Sequence, residues 1–212
     1  MNVKSFFFAE LFVFLFINGY SAFIYSNEMG LLRFLRKLKL KEKEMRILFL
    51  GLDNAGKSSV IKAFMGQSIE DLSPTLGFEI KAVECLGYRL NCWDVGGQST
   101  IRAYWRNYFE ATDGVVWVVD STDAERMALC KKELDSILQQ ERLANASLLI
   151  FANKQDIGGA MTSEEIRDIL DLNRIERRHW SIVPCSAATR NGIVDGITWI
   201  VNDIGSRIFT HP

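Results

Sequence analysis

The sequence predicts an α/β domain built on a mainly parallel six-stranded sheet with helices on both faces. Three observations lead there. Six short apolar runs, beginning at Met45, Phe78, Arg89, Gly114, Ser147 and Trp180, have the length of buried strands. Helical segments alternate with most of them, the order of elements that gives parallel pairing. The residues that carry chemistry stand where these runs end, the edge at which such sheets bind ligands.

Composition sets the limits. With 212 residues, 48% hydrophobic and 24% charged, the chain reads as one globular domain, large enough to bury a core without a staple. Its net charge of −1 excludes a general electrostatic attraction for nucleic acid, and no nucleic-acid partner is expected. Cys85, Cys92, Cys130 and Cys185 are scattered without a CxxC pair, against a zinc site or a disulfide framework and in keeping with a reducing compartment.

Residues 1–28 differ from the rest. From Phe6 to Tyr25 the only charge is Glu10. The stretch reads as a signal peptide, as a membrane anchor, or as an over-extended start ahead of Met29. As a span it tolerates Glu10, at a cost of roughly 2.5 kcal/mol. A basic amphipathic helix follows over 29–44, with the same charge pattern running on to Arg46. Leu31, Phe34, Leu35 and Leu38 fall on one face among Arg33, Arg36, Lys37, Lys39, Lys41 and Lys43. Such a helix lies on a membrane surface, docks in a partner groove, or packs as a solvated helix on its own domain.

The domain proper is expected over 45–210. The run from Met45 to Leu52 is a strand, and GLDNAGKS, Gly51 to Ser58, follows it and opens a helix. The string satisfies GxxxxGK[ST] in full and in the right setting. Its glycines let backbone N–H groups curl around phosphates, and the helix N-terminus adds positive partial charge. Lys57 reaches the β- and γ-phosphates, and the Ser58 hydroxyl suits Mg²⁺. Thr75 lies in the loop before two strands, FEIKAVEC and RLNCWDV, joined by a turn at Gly87. The second ends in Asp94-Val95-Gly96-Gly97-Gln98. Asp94 suits a carboxylate held near Mg²⁺ through water, Gly97 an N–H for the γ-phosphate, and Gln98 the orientation of a water. The strand Gly114 to Asp120 leads to a helix over about 124–141, and the strand Ser147 to Asn153 ends in NKQD. The strand from Trp180 precedes Ser186-Ala187, and a last helix runs from about Val194 to Ile208.

NKQD turns a nucleotide site into a guanine site. The Asp156 carboxylate accepts from guanine N1–H and the 2-amino group, and adenine offers neither donor. Asn153 ties its loop to the phosphate loop, the Lys154 stem covers the base, and the Ala187 N–H meets guanine O6.

Taken together, GLDNAGKS, PTLGF, WDVGGQ, YWRNYF, NKQD and CSA resemble the motifs of ADP-ribosylation-factor-like (Arf-like) small GTPases. The flanking ERLANASLLIFANKQD and SRIFT are most similar to the second Arf-like subfamily. The resemblance covers Met29 to about Thr210 and implies the P-loop GTPase fold, with GTP/GDP and Mg²⁺ as cofactors. It implies GTP-binding residues Asp53, Asn54, Ala55, Gly56, Lys57, Ser58, Ser59, Thr75, Gly97, Asn153, Lys154, Asp156, Ser186 and Ala187. Ser58 and Thr75 are the implied metal ligands, with Asp94 acting through water, and Gln98 the implied catalytic residue. Phe78, Trp93 and Tyr108 match an aromatic trio offered to effectors; core packing is the competing reading. The strands between Thr75 and Asp94 are expected to slide in register when GTP binds and to displace the amphipathic helix.

A myristoylation signal wants Ser or Thr about five residues after its glycine. Around that position after Gly30 stand Phe34, Leu35 and Arg36, so acylation of Gly30 is not expected and membrane contact through the helix is weak or transient. Expected partners are an activating protein supplying an arginine and effectors that include tubulin-folding cofactor D and lipid-cargo carriers. The expected setting is cytoplasmic, with microtubule or peripheral membrane association. Two function classes follow. One is a GDP/GTP-cycled switch that hydrolyses GTP slowly and recruits effectors. The other is a nucleotide-gated assembly module for tubulin cofactors with incidental hydrolysis. Gln98 favours the first. Arg102 and Arg106 fall on the helix after Gln98 and read as surface or partner contacts.

Overall fold

The computed structural model describes residues 43–70 and 73–208. The expectations for residues 1–28, for the basic helix up to residue 42 and for the end of the domain beyond residue 208 lie outside the described residues.

Among the described residues six strands form one sheet: β1 (Glu44–Leu50), β2 (Phe78–Cys85), β3 (Tyr88–Val95), β4 (Gly114–Asp120), β5 (Ser147–Asn153) and β6 (Trp180–Pro184). Their spatial order is β2-β3-β1-β4-β5-β6. Only the β2–β3 pair is antiparallel. It turns through Leu86 (φ 51°) and Gly87 (φ 76°), the left-handed pair that suits a two-residue hairpin. Every residue of β4 and β5 is buried, which is why GVVWVVD and SLLIFAN run apolar without alternation. Edge strand β2 is half-exposed.

Among the described residues five α-helices accompany the sheet: α1 (Lys57–Phe64), α2 (Ser99–Arg102), α3 (Met127–Leu138), α4 (Ser163–Ile169) and α5 (Ile193–Ile208). Side-chain alternation along β1 feeds two cores. Leu48 and Leu50 pack with Trp117, Leu134 and Ile166 on the α3–α4 face. Ile47 and Phe49 pack with Val60, Phe151 and Ile197 on the α1–α5 face. Each such side chain, once fully buried, contributes roughly 1.5–3 kcal/mol.

Three boundaries differ from the sequence reading. Glu44, Met45 and Arg46 belong to β1, pairing with Arg89, Leu90 and Asn91 of β3, so the basic segment gives way to strand earlier than its charge pattern suggests. The helix expected from about residue 124 begins at Met127. Asp120 and Asp123 bind the N–H groups of Thr122 and Arg126 and hold the preceding turn out of helix. It ends at Leu138, before a short 3-10 turn at Glu141–Leu143. Helix α4 adds to the elements the sequence predicts, and its start is spelled out: Thr162 and Glu165 form a capping box, each side chain meeting the other's backbone N–H.

Gly192 leads the chain from the loop after β6 into α5 with φ at +74°, and a Cβ there would lie 2.1 Å from the Pro184 carbonyl oxygen. Gly192→Ala is expected to cost at least about 1–3 kcal/mol. That lowers Tm by roughly 2–4 °C per kcal/mol in a domain of this size. Thermal unfolding followed by circular dichroism checks this; an unchanged Tm would mean that the turn relaxes without cost.

Candidate functional site

The loop between β1 and α1 is shaped by close approaches. A Cβ on Gly51 would lie 2.3 Å from the Val118 carbonyl oxygen, and one on Gly56 2.4 Å from Asn153 Nδ2. Asn54 (φ 62°) and Gly56 (φ 94°) take left-handed conformations that curl the chain. Between them Ala55 is buried and its carbonyl accepts from Asn153 Nδ2 at 2.9 Å. Helix α1 opens at Gly56 with no side-chain cap and no acid in its first turn. Its first N–H groups therefore face the loop without a side-chain acceptor, a setting for an anion. Ser58 and Ser59 lie in that turn. Lys57 is buried and donates to the Gly51 and Leu52 carbonyls at 3.0 and 2.8 Å. Burial pushes its ammonium down to about 8, against the pull of Asp94 and Asp53. A buried cation resting on neutral carbonyls is under-compensated, and an anion in the loop completes it.

Oxygen atoms converge beside it. Ser58 Oγ and Thr75 Oγ1 lie 2.9 Å apart, and Thr75 Oγ1 donates to Asp94 Oδ2 at 3.4 Å. Asp94 is fully buried, and its Oδ1 has no hydrogen-bond partner among the described residues. Burial raises the Asp94 pKa, with Ser58 and Lys57 opposing. Two hydroxyls and a buried carboxylate with an orphaned oxygen fit Mg²⁺, which takes few protein ligands and keeps water and phosphate oxygens. Ser58 and Thr75 would hold the ion and Asp94 its water. Bound there, Mg²⁺ neutralises phosphate charge. Among the described residues no three His, Cys, Asp or Glu side chains gather as an all-protein metal site.

The segment after β3 is pressed onto this loop. Gly96 N–H donates to the Gly77 carbonyl at 2.9 Å. A Cβ on Gly97 would lie 2.5 Å from Asp53 N and Gly51 O, so only glycine lets this backbone lie on the phosphate loop. Gln98 follows at once, as the N-cap of α2. Arg102, read from sequence as a surface or partner contact, turns inward instead. Its side chain is 10% exposed and donates from Nε to the Gly97 carbonyl at 2.7 Å. The reason is an acid on each side of it, Asp53 and Glu133. Arg106 is exposed.

Across the loop lie Asn153, Lys154, Asp156 and Ala187. Besides holding Ala55, Asn153 accepts the Ala187 N–H on Oδ1 at 3.0 Å. The Asn153 amide, fixed through its Nδ2, presents its oxygen to this N–H. Lys154 anchors its ammonium on Asp120 at 2.5 Å. Exposed Asp156 is oriented by Ser186, whose hydroxyl donates to Oδ1 at 2.5 Å.

Phe78, Trp93 and Tyr108 meet at the outer end of the sheet. Ring centroids are 5.3 Å apart for Phe78–Trp93, 5.0 Å for Phe78–Tyr108 and 6.0 Å for Trp93–Tyr108. Phe78, Leu76 and Ile80 are exposed around them. Beneath, the Arg46 guanidinium lies 3.8 Å from the Trp93 ring centroid and donates to the Tyr108 carbonyl at 3.0 Å. Sequence reading missed this role, since Arg46 looks like one more charge of the basic segment.

A family model described as the ADP-ribosylation factor family matches residues 31–204. ADP-ribosylation factor-like protein 2 of Dictyostelium discoideum is 56% identical over 181 residues, 85% of this chain and 98% of that one. Its Arabidopsis thaliana namesake is 58% identical over 182 residues, with the same coverage of 85% and 98%. Among solved structures, the Arl6 BBS3 small GTPase from Trypanosoma brucei with bound nucleotide analogue GppNp superimposes with a TM-score of 0.72. It is 27% identical, over 77% of this chain and 99% of that one.

Proposed function

Since the chain belongs to the ADP-ribosylation factor family, we propose that it is a GDP/GTP-cycled switch that hydrolyses GTP slowly and recruits effectors through Phe78, Trp93 and Tyr108. Members of the family bind GTP and GDP with Mg²⁺ and hydrolyse GTP. The observation that carries the switch reading is the meeting of two separate segments over one loop. Thr75 reaches Ser58 at 2.9 Å, and Gly97 leaves no room for a Cβ above Asp53. Both stand where a γ-phosphate is told from its absence. Phe78 and Trp93 stand on the strands that join these segments, and Tyr108 packs on both from the 3-10 turn Trp105–Tyr108, so a change at the phosphates reaches the trio through β2 and β3.

In this reading an activating protein supplies an arginine, and the effectors include tubulin-folding cofactor D and lipid-cargo carriers. Its work is in tubulin folding, microtubule function and lipidated-cargo traffic. Resemblance to the second Arf-like subfamily supports these roles. The protein is cytoplasmic, microtubule-associated or peripheral to membranes, with weak contact through the amphipathic helix. Among the described residues no helix is long and apolar enough to cross a membrane.

The test is partner binding in two nucleotide states. Protein loaded with a non-hydrolysable GTP analogue is expected to bind cofactor D or a lipid-cargo carrier at least about tenfold tighter than, or weaker than, the GDP form, a coupling of about 1.4 kcal/mol. Replacing Leu31, Leu35 and Leu38 by Ser is expected to alter partner or vesicle association while nucleotide binding stays intact. Equal partner affinities in both states would refute the switch; unchanged association of the triple variant would refute the helix's part in it.

A further inference from the structure

Nothing in the GxxxxGKS pattern asks for an acid at its third position, and a carboxylate inside a phosphate loop opposes the anions it serves. Asp53 stands there. Its charge is met from both sides. Oδ1 accepts from Arg102 Nη2 at 3.0 Å and Oδ2 from Arg126 Nη1 at 3.1 Å, while Arg126 Nη2 reaches the Asp53 carbonyl at 3.3 Å. Arg126 is itself braced by Asp123 through Nε at 2.6 Å.

Arg102 has a different acceptor on each nitrogen. Nη2 binds Asp53 of the phosphate loop, Nη1 binds Glu133 of α3 at 3.4 Å, and Nε binds the Gly97 carbonyl at 2.7 Å. Three parts of the molecule meet on one planar fork, which a lysine cannot replace. One residue back, the Gly96 carbonyl accepts from Trp105 Nε1 at 2.9 Å, and Trp105 is buried. In a trans peptide the C=O and the next N–H point opposite ways, so holding one aims the other. Trp105 therefore aims the Gly97 N–H, and Arg102 aims the Gln98 N–H and fixes where the Gln98 side chain begins.

We propose that Arg102 is a positioning residue for the triphosphate state: pinned on Asp53 and Glu133, it locks the Gly97–Gln98 peptide against the phosphate loop, so that γ-phosphate retention and hydrolysis both depend on it. The proposal rests on the reading of this site as a GTPase site. It assigns Asp53 a mechanical part, as the anchor of Arg102. GDP has no γ-phosphate and gains nothing from the lock, which separates positioning from plain support of the loop.

The experiment measures release of GDP, release of a non-hydrolysable GTP analogue, and single-turnover hydrolysis, on the full chain. Arg102→Ala is expected to speed analogue release and slow hydrolysis by about tenfold to a hundredfold, the scale of misplacing a catalytic group. GDP release should stay within about twofold of wild type, because only γ-phosphate contacts are lost. Arg102→Lys, which keeps the charge and is the variant to rely on if Arg102→Ala does not fold, should recover only part of the loss. In a double-mutant cycle, Asp53→Asn added to Arg102→Ala should cost little more than Arg102→Ala alone. GDP release accelerated as much as analogue release would make the role merely structural and overturn the proposal. Analogue release and hydrolysis at wild-type rates in Arg102→Ala, or full rescue by Arg102→Lys, would overturn it too. A wild-type protein that binds no GTP would instead overturn the functional reading beneath it.

Discussion

Purified protein loaded with GTP is expected to hydrolyse it slowly, and an activator that supplies an arginine to accelerate it by roughly 10³–10⁵. That span corresponds to about 4–7 kcal/mol of barrier. The transition state spreads negative charge over the γ-phosphate oxygens, and a fast enzyme meets it with a positioned water and added positive charge. Gln98 suits the water. Lys57 supplies one charge from within the loop, and Mg²⁺ neutralises part of the rest. Further positive charge is wanting. The stretch Glu70 to Leu76, EDLSPTL, holds neither Arg nor Lys. Arg102 and Arg126 stand nearby, yet both are committed to Asp53, whose carboxylate cancels much of what they offer. Gln98→Leu should then trap the GTP state even with activator present. Single-turnover hydrolysis by the protein alone decides the point. A rate near one per second, by order of magnitude the activated range, would mean that the missing charge is already in this chain.

The second large effect concerns the base. Wild-type protein is expected to prefer GTP over ATP by a factor on the order of 10⁴, because adenine leaves the Asp156 carboxylate facing an acceptor. Ser186 holds one carboxylate oxygen at 2.5 Å and itself accepts the Thr189 N–H at 3.0 Å, so the carboxylate is aimed before the base arrives. Asp156→Asn offers a donor where guanine also donates. It should weaken guanine nucleotides by several hundredfold or more, at about 1.4 kcal/mol per tenfold, and relax the choice of base. A purine bearing oxygen at the 2-position should bind the variant better than guanine does. Competition binding of GTP, ATP and xanthosine triphosphate to both proteins measures this. Equal ATP and GTP affinity in the wild type would remove the guanine reading altogether.

The sequence by itself determined the sheet and the glycine loop after β1, and it singled out Ser58, Thr75, Asp94 and the NKQD segment, which the structure gathers round that loop. These are local in the chain. A strand is written as an apolar run, and a loop that cradles phosphate needs glycine and lysine at fixed spacing, so pattern and chemistry coincide. Even the start of α4 is legible in its Thr162–Glu165 box. Contacts between residues far apart in the chain belong to another order. Asp53, Arg102 and Arg126 come from three different segments, and no periodicity says that they meet. Arg46 reads as part of a basic stretch until β1–β3 pairing sets it against Trp93. The contact between the Ala187 N–H and Asn153 joins residues 34 apart in the chain, which no local pattern announces. A charged side chain is exposed by default. Only the tertiary structure decides which ones are drawn inward, because burial depends on whether an acid, a carbonyl or a ring from elsewhere replaces the lost water.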